Sequence, residues 1–249
     1  MNYVTFIDFR RAFDAVNRTT LVKALEEKQF NKSLVGSIKS FLSDTSGVVN
    51  GREIDTHIGV PQGAVLSPTL FNLYLDPLLD ELQKQGIRCL AYADDLTFLT
   101  RGTTGLCRAV KIVEDWSRSH GVDINTSKSA ILPIRVDKRT PLSPYSKIKR
   151  IPVQDRYRYL GIEVDSSAAI TPQARVLQTK LTSLGRKLSF QWANKLPTLS
   201  RWITWHAFTT SRFMYGLTTL YDHYPALITH LKRFLYHSIR KLLQINTMP

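Results

Sequence analysis

The 249-residue chain is long enough for one large domain or two small ones with a sizeable core, and its formal net charge of +14 is unevenly distributed. Residues 166–249 contain 11 lysines and arginines and a single acidic residue, for a net charge of +10, whereas residues 1–165 carry only +4. This distribution favours a polyanionic partner, nucleic acid rather than an anionic membrane, and no apolar run reaches the ~18 residues that a membrane span requires.

The two cysteines of the chain, Cys89 and Cys107, form neither a zinc pattern nor a disulfide framework, which favours a reducing environment. Acidic and arginine residues interrupt the first twenty positions, so a secretion signal is not expected there. We therefore expect an intracellular protein, in the nucleus or the cytoplasm.

The first third of the chain alternates strand and helix patterns. The apolar run Tyr3–Ile7 predicts a strand that ends at Asp8. Asn-Gly at 50–51 is typical of a type I′ hairpin turn, and Ser67 before Pro68 predicts a helix start with the serine as cap. The predicted elements are a strand over 3–8, helices over 20–29 and 32–42, a hairpin around 48–51 and a helix over 67–82.

The rest of the chain changes from mixed to purely helical patterns. Leucines recur at spacings of four, three and four between Leu177 and Leu188, which is typical of a helix. We predict an α+β domain over 1–165 and an all-α domain over 166–249. The predicted elements are strands that flank Asp94 and Asp95, a helix over 104–120, a strand over 130–136, an exposed loop over 137–150, a strand pair over 157–164 and helices from 171 on, including 198–219 and 225–244.

Asp94 and Asp95 form an acidic pair between two short apolar runs, which predicts a hairpin with both carboxylates at its tip. Adjacent carboxylates repel each other, and a divalent cation relieves that repulsion. Asp8 ends the first strand, at the rim of the predicted sheet, and can supply a third carboxylate. The three residues are therefore a candidate metal site.

Four sequence blocks follow one another in a set order. They are FIDFRRAFD at 6–14, GVPQGAVLSPTLF at 59–71, YADD at 92–95 and YLGI at 159–162. Together they closely resemble the reverse transcriptase of non-LTR (LINE-type, jockey-like) retrotransposons, over nearly the whole chain. The resemblance implies a right-hand polymerase, with an antiparallel-sheet palm over 1–165 and a helical thumb over 166–249.

The resemblance implies an RNA-directed DNA polymerase that adds dNTPs to a DNA primer on an RNA template. Such chemistry uses two Mg²⁺ ions, with Mn²⁺ as an alternative, because the in-line displacement at phosphorus gathers negative charge. Asp8 and Asp94 are the implied catalytic ligands of both metals, and the backbone carbonyl of Phe9 assists. Asp95 is implied as a less direct partner, for which a supporting electrostatic role is the alternative.

Phe9 and three further residues are implied in dNTP binding. Phe13 matches the steric gate whose ring collides with a ribose 2′-hydroxyl, the local difference between the two sugars; the alternative is a core aromatic. Gln62 and Gly63 match the block that lies near the dNTP sugar and the template base, where glycine lets the backbone approach closely. An ordinary loop before a helix is the alternative for that pair.

Two other assignments follow from the same resemblance. Lys128 matches a lysine proposed to protonate or bind the departing pyrophosphate, with a solvated lysine as the alternative. Tyr159, Leu160 and Gly161 match the primer grip, with a plain strand turn as the alternative. Asp14 is expected to be structural, as a turn or cap residue.

The resemblance also implies segments that this sequence lacks. In the family a fingers subdomain precedes the first block, and an endonuclease often lies upstream, so we expect a partial chain of a full-length element. A catalytically inactive remnant that only binds nucleic acid is the main alternative. An RNA-dependent RNA polymerase fits less well because its acidic hairpin usually has glycine before the aspartates, and group II intron reverse transcriptases fit the first and fourth blocks less well.

Overall fold

The structure is a computed structural model that describes residues 2–43, 46–49, 52–55, 58–134, 147–148, 150–167, 173–177 and 225–243, with short pieces between 179 and 207. The chain divides into two compact units, Met1–Asp155 and Arg156–Pro249. Residues 156–165 therefore group with the second unit, whereas the sequence places the boundary at 165. The assignment of these parts as palm and thumb stays a prediction.

The helices and strands predicted up to residue 134 are confirmed, with ends that differ by about two residues. The turn residues of the predicted Asn-Gly hairpin, 50 and 51, lie outside the described residues, although the two strands pair. The described elements of the first unit are β1 (Asn2–Asp8), α1 (Arg18–Glu27), α2 (Lys32–Ser43), β2 (Ser46–Val49), β3 (Arg52–Asp55), α3 (Ser67–Lys84), β4 (Arg88–Tyr92), β5 (Asp95–Arg101), α4 (Gly102–His120), β6 (Ala130–Ile134), β7 (Lys147–Ile148) and β8 (Ile151–Pro152).

The main sheet of this unit has four strands in the order β4-β5-β1-β6, and every neighbouring pair is antiparallel. The register pairs Asp8 of β1 with Asp95 of β5, and Tyr92 of β4 with the same Asp95. One end of the sheet, called its edge below, therefore contains the end of β1, the end of β4 and the start of β5.

A hydrophobic core joins this sheet to its helices. On α4, Leu106, Val110 and Val113 are fully buried at helical spacing, and α3 contributes Phe71 and Tyr74. Burial of one such side chain stabilises the fold by about 1.5–3 kcal/mol. The core thus fixes β1 and α4, whose ends carry Asp8 and the turn that follows Gly121.

The start of α3 differs from the prediction. Ser67 is the first helical residue and the N-cap position is Leu66, without a side-chain cap. The buried Ser67 hydroxyl instead donates a hydrogen bond to the carbonyl of Pro61. Serine at this position therefore ties the preceding loop to the helix, and the helix continues through Pro77.

The predicted exposed loop over 137–150 is wrong at its end. Lys147–Ile148 pairs with Ile151–Pro152 around Arg150, and Ile148 and Ile151 are buried in the core. The basic, proline-rich composition of the segment concealed Ile148. The remainder of the predicted loop lies outside the described residues.

The second unit begins with a hairpin of β9 (Arg156–Tyr159) and β10 (Ile162–Asp165), which confirms the predicted strand pair. Residues 173–177 are helical, and the long helix α5 (Pro225–Leu243) confirms the prediction for 225–244. The predicted helix over 198–219 falls mostly outside the described residues, so an all-helical second domain stays a prediction. In the described part of the chain, no helix is both long and apolar enough to cross a membrane.

Candidate active site

The candidate site lies at the edge of the sheet where three strands meet. Asp8 is the last residue of β1 and is the register partner of Asp95, the first residue of β5. Asp94 occupies the turn between β4 and β5, next to Ala93, whose φ of 51° bends the chain sharply. The hairpin predicted for the acidic pair is confirmed, and β1 brings a carboxylate from 86 positions earlier beside it.

Electrostatics mark these carboxylates as a cluster of like charge. Burial raises the pKa of Asp95 above its ordinary value of 3.8, and the negative charges of Asp94 and Asp8 raise it further. The positive charge of Lys128 acts in the opposite direction. The charges of Asp8, Asp94 and Lys128 therefore all act on the Asp95 carboxylate.

The donor chemistry of this edge suits a hard divalent cation, although it does not form a closed cage. Among the described residues no group of three or more His, Cys, Asp or Glu side chains could hold a metal ion. Mg²⁺ keeps several waters and is usually bound through one or two carboxylates and substrate phosphates. The carboxylates of Asp8, Asp94 and Asp95 fit that mode.

Asn125 orients the Asp8 side chain, and the sequence analysis missed it. Its Nδ2 donates to Asp8 Oδ2 at 2.9 Å, and its backbone N–H donates to the Asp8 carbonyl at 2.8 Å. Ser127 donates to Asn125 Oδ1 at 2.8 Å, which fixes the direction of the amide. Ser129 accepts from the Asp8 backbone N–H at 3.1 Å. The turn after Gly121 thus holds Asp8 at both backbone and side chain.

A cleft of about 1330 Å³ opens beside this edge. It brings together most of the residues that the sequence singled out, whereas Asp95 is not among the residues that line it. The lining includes Asp8, Phe9, Phe13, Gln62, Gly63, Asp94 and Lys128.

Phe13 combines the two alternatives that the sequence left open. Its ring is half-buried and stacks on Phe71 of the core, with ring centroids 4.9 Å apart. It also lines the cleft that contains Asp8. A wall residue backed by the core has the rigidity that a steric role requires, and the gate role stays a prediction.

The loop that carries Gln62 and Gly63 is tied to the segment after Asp8. Val60 donates its backbone N–H to the Phe13 carbonyl at 2.8 Å, and Gly59 donates to the Val16 carbonyl at 2.8 Å. Gln62 and Gly63 are exposed on the cleft wall. Their position is therefore set by backbone contacts between two of the sequence blocks.

Arg18 reinforces this loop from α1 and was also missed. Its guanidinium donates to the carbonyls of Gly59 at 2.8 Å, Leu42 at 2.5 Å and Ile58 at 3.3 Å. The side chain is partly buried, and desolvation lowers the pKa of its guanidinium. Arg18 thus links the end of α2 to the loop before Gln62.

The other predicted site residues lie in different surroundings. Lys128 is exposed at the cleft, in the turn that contains Asn125. Tyr159, Leu160 and Gly161 form the tip of the β9–β10 hairpin in the second unit, where Leu160 has φ of 46° and Gly161 of 78°. A strand turn is therefore present, and the primer-grip role stays a prediction.

Comparison with known proteins identifies the family. Residues 1–164 match the family model described as reverse transcriptase (RNA-dependent DNA polymerase). The chain belongs to the reverse transcriptase family. This confirms the resemblance carried by the four sequence blocks, and reverse transcriptases generally use divalent metals.

The relatives of this reverse transcriptase chain come from non-LTR elements, as the blocks indicated. The retrovirus-related Pol polyprotein of type-1 retrotransposable element R2 from Popillia japonica is 30% identical over 193 residues, which cover 68% of this chain and 27% of that protein. The RNA-directed DNA polymerase of mobile element jockey from Drosophila melanogaster is 29% identical over 202 residues, 72% of this chain and 22% of that protein. The chain thus spans about a quarter of the length of these relatives.

A solved structure extends the likeness to the fold. Telomerase from Candida tropicalis, in complex with the TWJ fragment of telomeric RNA, superimposes with a TM-score of 0.53. The match covers 98% of this chain and 48% of that chain at 12% sequence identity. The chain is therefore similar in fold to this telomerase.

Proposed function

We propose that this chain forms the palm, and part of the thumb, of an RNA-directed DNA polymerase from a non-LTR retrotransposon. The observation that carries the proposal is the pairing of Asp8 with Asp95 across β1 and β5, with Asp94 in the same cleft as Asp8. A cluster of carboxylates beside an open cleft suits nucleotidyl transfer to a primer 3′-hydroxyl.

The carboxylates at the sheet edge have the chemistry to bind the metal ions of this reaction. Asp8 and Asp94, with the backbone carbonyl of Phe9, would hold two Mg²⁺ ions, and Asp95 would support them electrostatically. Bound Mg²⁺ supplies charge neutralisation at the reacting phosphate. Asn125 would keep the Asp8 carboxylate in one orientation through its 2.9 Å hydrogen bond.

The cleft wall would select and position the nucleotide. Phe13, backed by Phe71, would exclude a ribose 2′-hydroxyl by contact, so that dNTPs are preferred. Gln62 and Gly63 would contact the sugar or the template base. Lys128 would bind the departing pyrophosphate or return a proton to it, since it is the lysine of the cleft lining.

The basic second unit would bind the phosphate backbone of the template–primer duplex. On α5 Lys232 and Arg233 are exposed, and the Arg240 guanidinium lies 5.4 Å from the Tyr236 ring centroid. Backbone contacts of this kind fix register without reading base sequence, and an RNA–DNA hybrid is recognised mainly by its shape. The second unit would thus contribute affinity and processivity rather than target choice.

Extension of a DNA primer on an RNA template, with dNTPs and Mg²⁺, tests the proposal. Because the chain covers a minor part of its relatives, it is assayed alone and joined to the preceding segment of a jockey-type element. Extension that is abolished by Asp94→Asn, but kept by Asp115→Asn on the exposed side of α4, supports the proposal. Duplex binding without extension in either form overturns it in favour of a chain that only binds nucleic acid.

A further inference from the structure

Asp14 contacts Gln62 directly, although the sequence suggested only a turn or cap role for it. The Gln62 Nε2 donates a hydrogen bond to Asp14 Oδ1 at 2.7 Å. Both side chains are exposed and line the cleft that contains Asp8. The bond joins the first and second sequence blocks, 48 positions apart in the chain.

The backbone beneath this pair is held independently of the two side chains. Besides the two hydrogen bonds from Gly59 and Val60, a Cβ added at Gly59 would lie 2.9 Å from the Asp14 carbonyl oxygen, so the segments are in close contact. Arg18 holds the Gly59 carbonyl from the other side. Removal of the Asp14 carboxylate therefore leaves the loop in place and frees only the Gln62 side chain.

The chemistry of the two groups determines which end of the amide faces the carboxylate. An ionised aspartate only accepts hydrogen bonds, whereas the glutamine amide has a donor end and an acceptor end. Asp14 can therefore bind only the Nε2 end of Gln62. The Oε1 end is left as an acceptor for a donor group in the cleft.

We infer that Asp14 is a positioning residue that fixes the orientation of the Gln62 carboxamide, so that Gln62 Oε1 accepts a hydrogen bond from the incoming nucleotide. The inference rests on the proposed function, because it takes the cleft to bind a dNTP. It assigns Asp14 no contact with the reacting atoms.

The test compares Asp14→Ala, Gln62→Ala and the double variant with the wild-type chain. Two quantities are measured: the KM for dNTP against kcat in primer extension, and the Kd of a fluorescent dNTP. Asp14→Ala is expected to raise KM and Kd about 5-fold, the scale of one exposed hydrogen bond, with kcat changed less than about 2-fold. The double variant is expected to bind dNTP as tightly as Gln62→Ala alone, because Asp14 acts only through Gln62.

Two further variants separate positioning from a general charge or folding effect. Asp14→Asn keeps an oxygen that accepts from Gln62 Nε2, but its amide can also donate to Gln62 Oε1, so both orientations of Gln62 are possible. The KM of this variant is therefore expected to lie between the values of the wild-type chain and Asp14→Ala. Asp115→Ala removes an exposed carboxylate outside the cleft and is expected to leave KM unchanged.

The outcomes distinguish this inference from the proposed function. The inference alone is overturned if the wild-type chain extends the primer and Asp14→Ala leaves KM unchanged. It is also overturned if the wild-type chain extends the primer and the losses of dNTP affinity in the two single variants add up in the double variant. A wild-type chain that binds dNTP without extension, with weaker binding in Asp14→Ala, supports the inference while the proposed function fails. A wild-type chain that neither extends nor binds dNTP overturns both.

Discussion

Substitution of Asn125 by alanine tests how strongly the protein scaffold supports the acidic edge, the sheet edge that carries Asp8, Asp94 and Asp95. The change removes the bond from Nδ2 to Asp8 Oδ2 and the acceptor used by Ser127. The backbone bonds of the same turn, from Asn125 to the Asp8 carbonyl and from Ser129 to the Asn125 carbonyl, stay available to alanine. The perturbation is therefore confined to the orientation of one carboxylate.

The expected magnitude follows from the contact. A hydrogen bond to a charged group contributes about 1.5–3 kcal/mol, and the half-buried position of Asp8 favours the lower end. A loss of about 1.4 kcal/mol corresponds to about a tenfold change, at the lower end of the 10–100-fold cost of lost outer-shell partners of metal ligands. We expect Asn125→Ala to raise the Mg²⁺ concentration for half-maximal primer extension about tenfold.

Stability should change little in the same variant, since the backbone bonds are kept. Urea unfolding is expected to show a loss of about 1 kcal/mol or less. Asn72→Ala, an exposed asparagine of α3 outside the cleft lining, serves as the matched control. If Asn125→Ala has the Mg²⁺ dependence of the control, or loses activity only in proportion to lost folding, the hydrogen bond from Asn125 to Asp8 does not support metal binding.

Four other predictions concern the proposed gate Phe13, the half-buried His120, the loop contact Arg18 and the basic second unit. Phe13→Ala should keep dNTP use and shift sugar discrimination by ~10–100-fold, measured as kcat/KM for dATP against ATP; an unchanged ratio would leave Phe13 as a core residue stacked on Phe71. Burial lowers the pKa of His120 below its ordinary 6.5, against the opposing hydrogen bond to a backbone carbonyl. The contribution of neutral His120 to stability is therefore present above pH 6.5 and is lost as the pH falls through the lower pKa of the folded state. His120→Gln should therefore show a smaller fall in the urea midpoint of unfolding between pH 8 and 5 than the wild-type chain, and an equal fall in both would contradict this. Arg18→Ala should lower the free energy of unfolding by about 2 kcal/mol, because three carbonyls lose their donor, and Arg18→Lys should recover less than half; full recovery by lysine would mean that charge alone matters. Nucleic-acid binding through residues 166–249 should weaken steeply between ~50 and 200 mM salt because of their net charge of +10, and a flat salt dependence would argue against phosphate contacts.

The local elements were predictable because their signals are local. Periodic apolar residues predicted the bounds of α4 within two residues, and the helix ends before Gly121, whose φ is 68°. The hairpin of the acidic pair was equally clear. The prediction was wrong where a tertiary contact outweighs composition, as when Ile148 enters the core from a basic segment.

The order of strands and the support of the site were not predictable in the same way. The pairing of Asp8 with Asp95 depends on β1 lying between β5 and β6, which no local pattern specifies. Asn125 and Arg18 act through hydrogen bonds to carboxylate or backbone groups that are distant in the sequence. Asn125 does lie three positions before Lys128, in the same turn, and that proximity was the available signal.

Backbone strain adds a physical reason for how the acidic edge keeps its shape. Arg11, three positions after Asp8, and Ala93, directly before Asp94, adopt positive φ values of 46° and 51°. A non-glycine residue in this region costs about 1 kcal/mol, so the surrounding structure must impose the conformation. For Ala93 the strand pairing on both sides of the turn does so, and for Arg11 the carbonyl accepts a hydrogen bond from Ala15. Strand β5 therefore takes part in both arrangements: its register with β1 brings Asp8 beside Asp95, and its pairing with β4 holds the turn that presents Asp94.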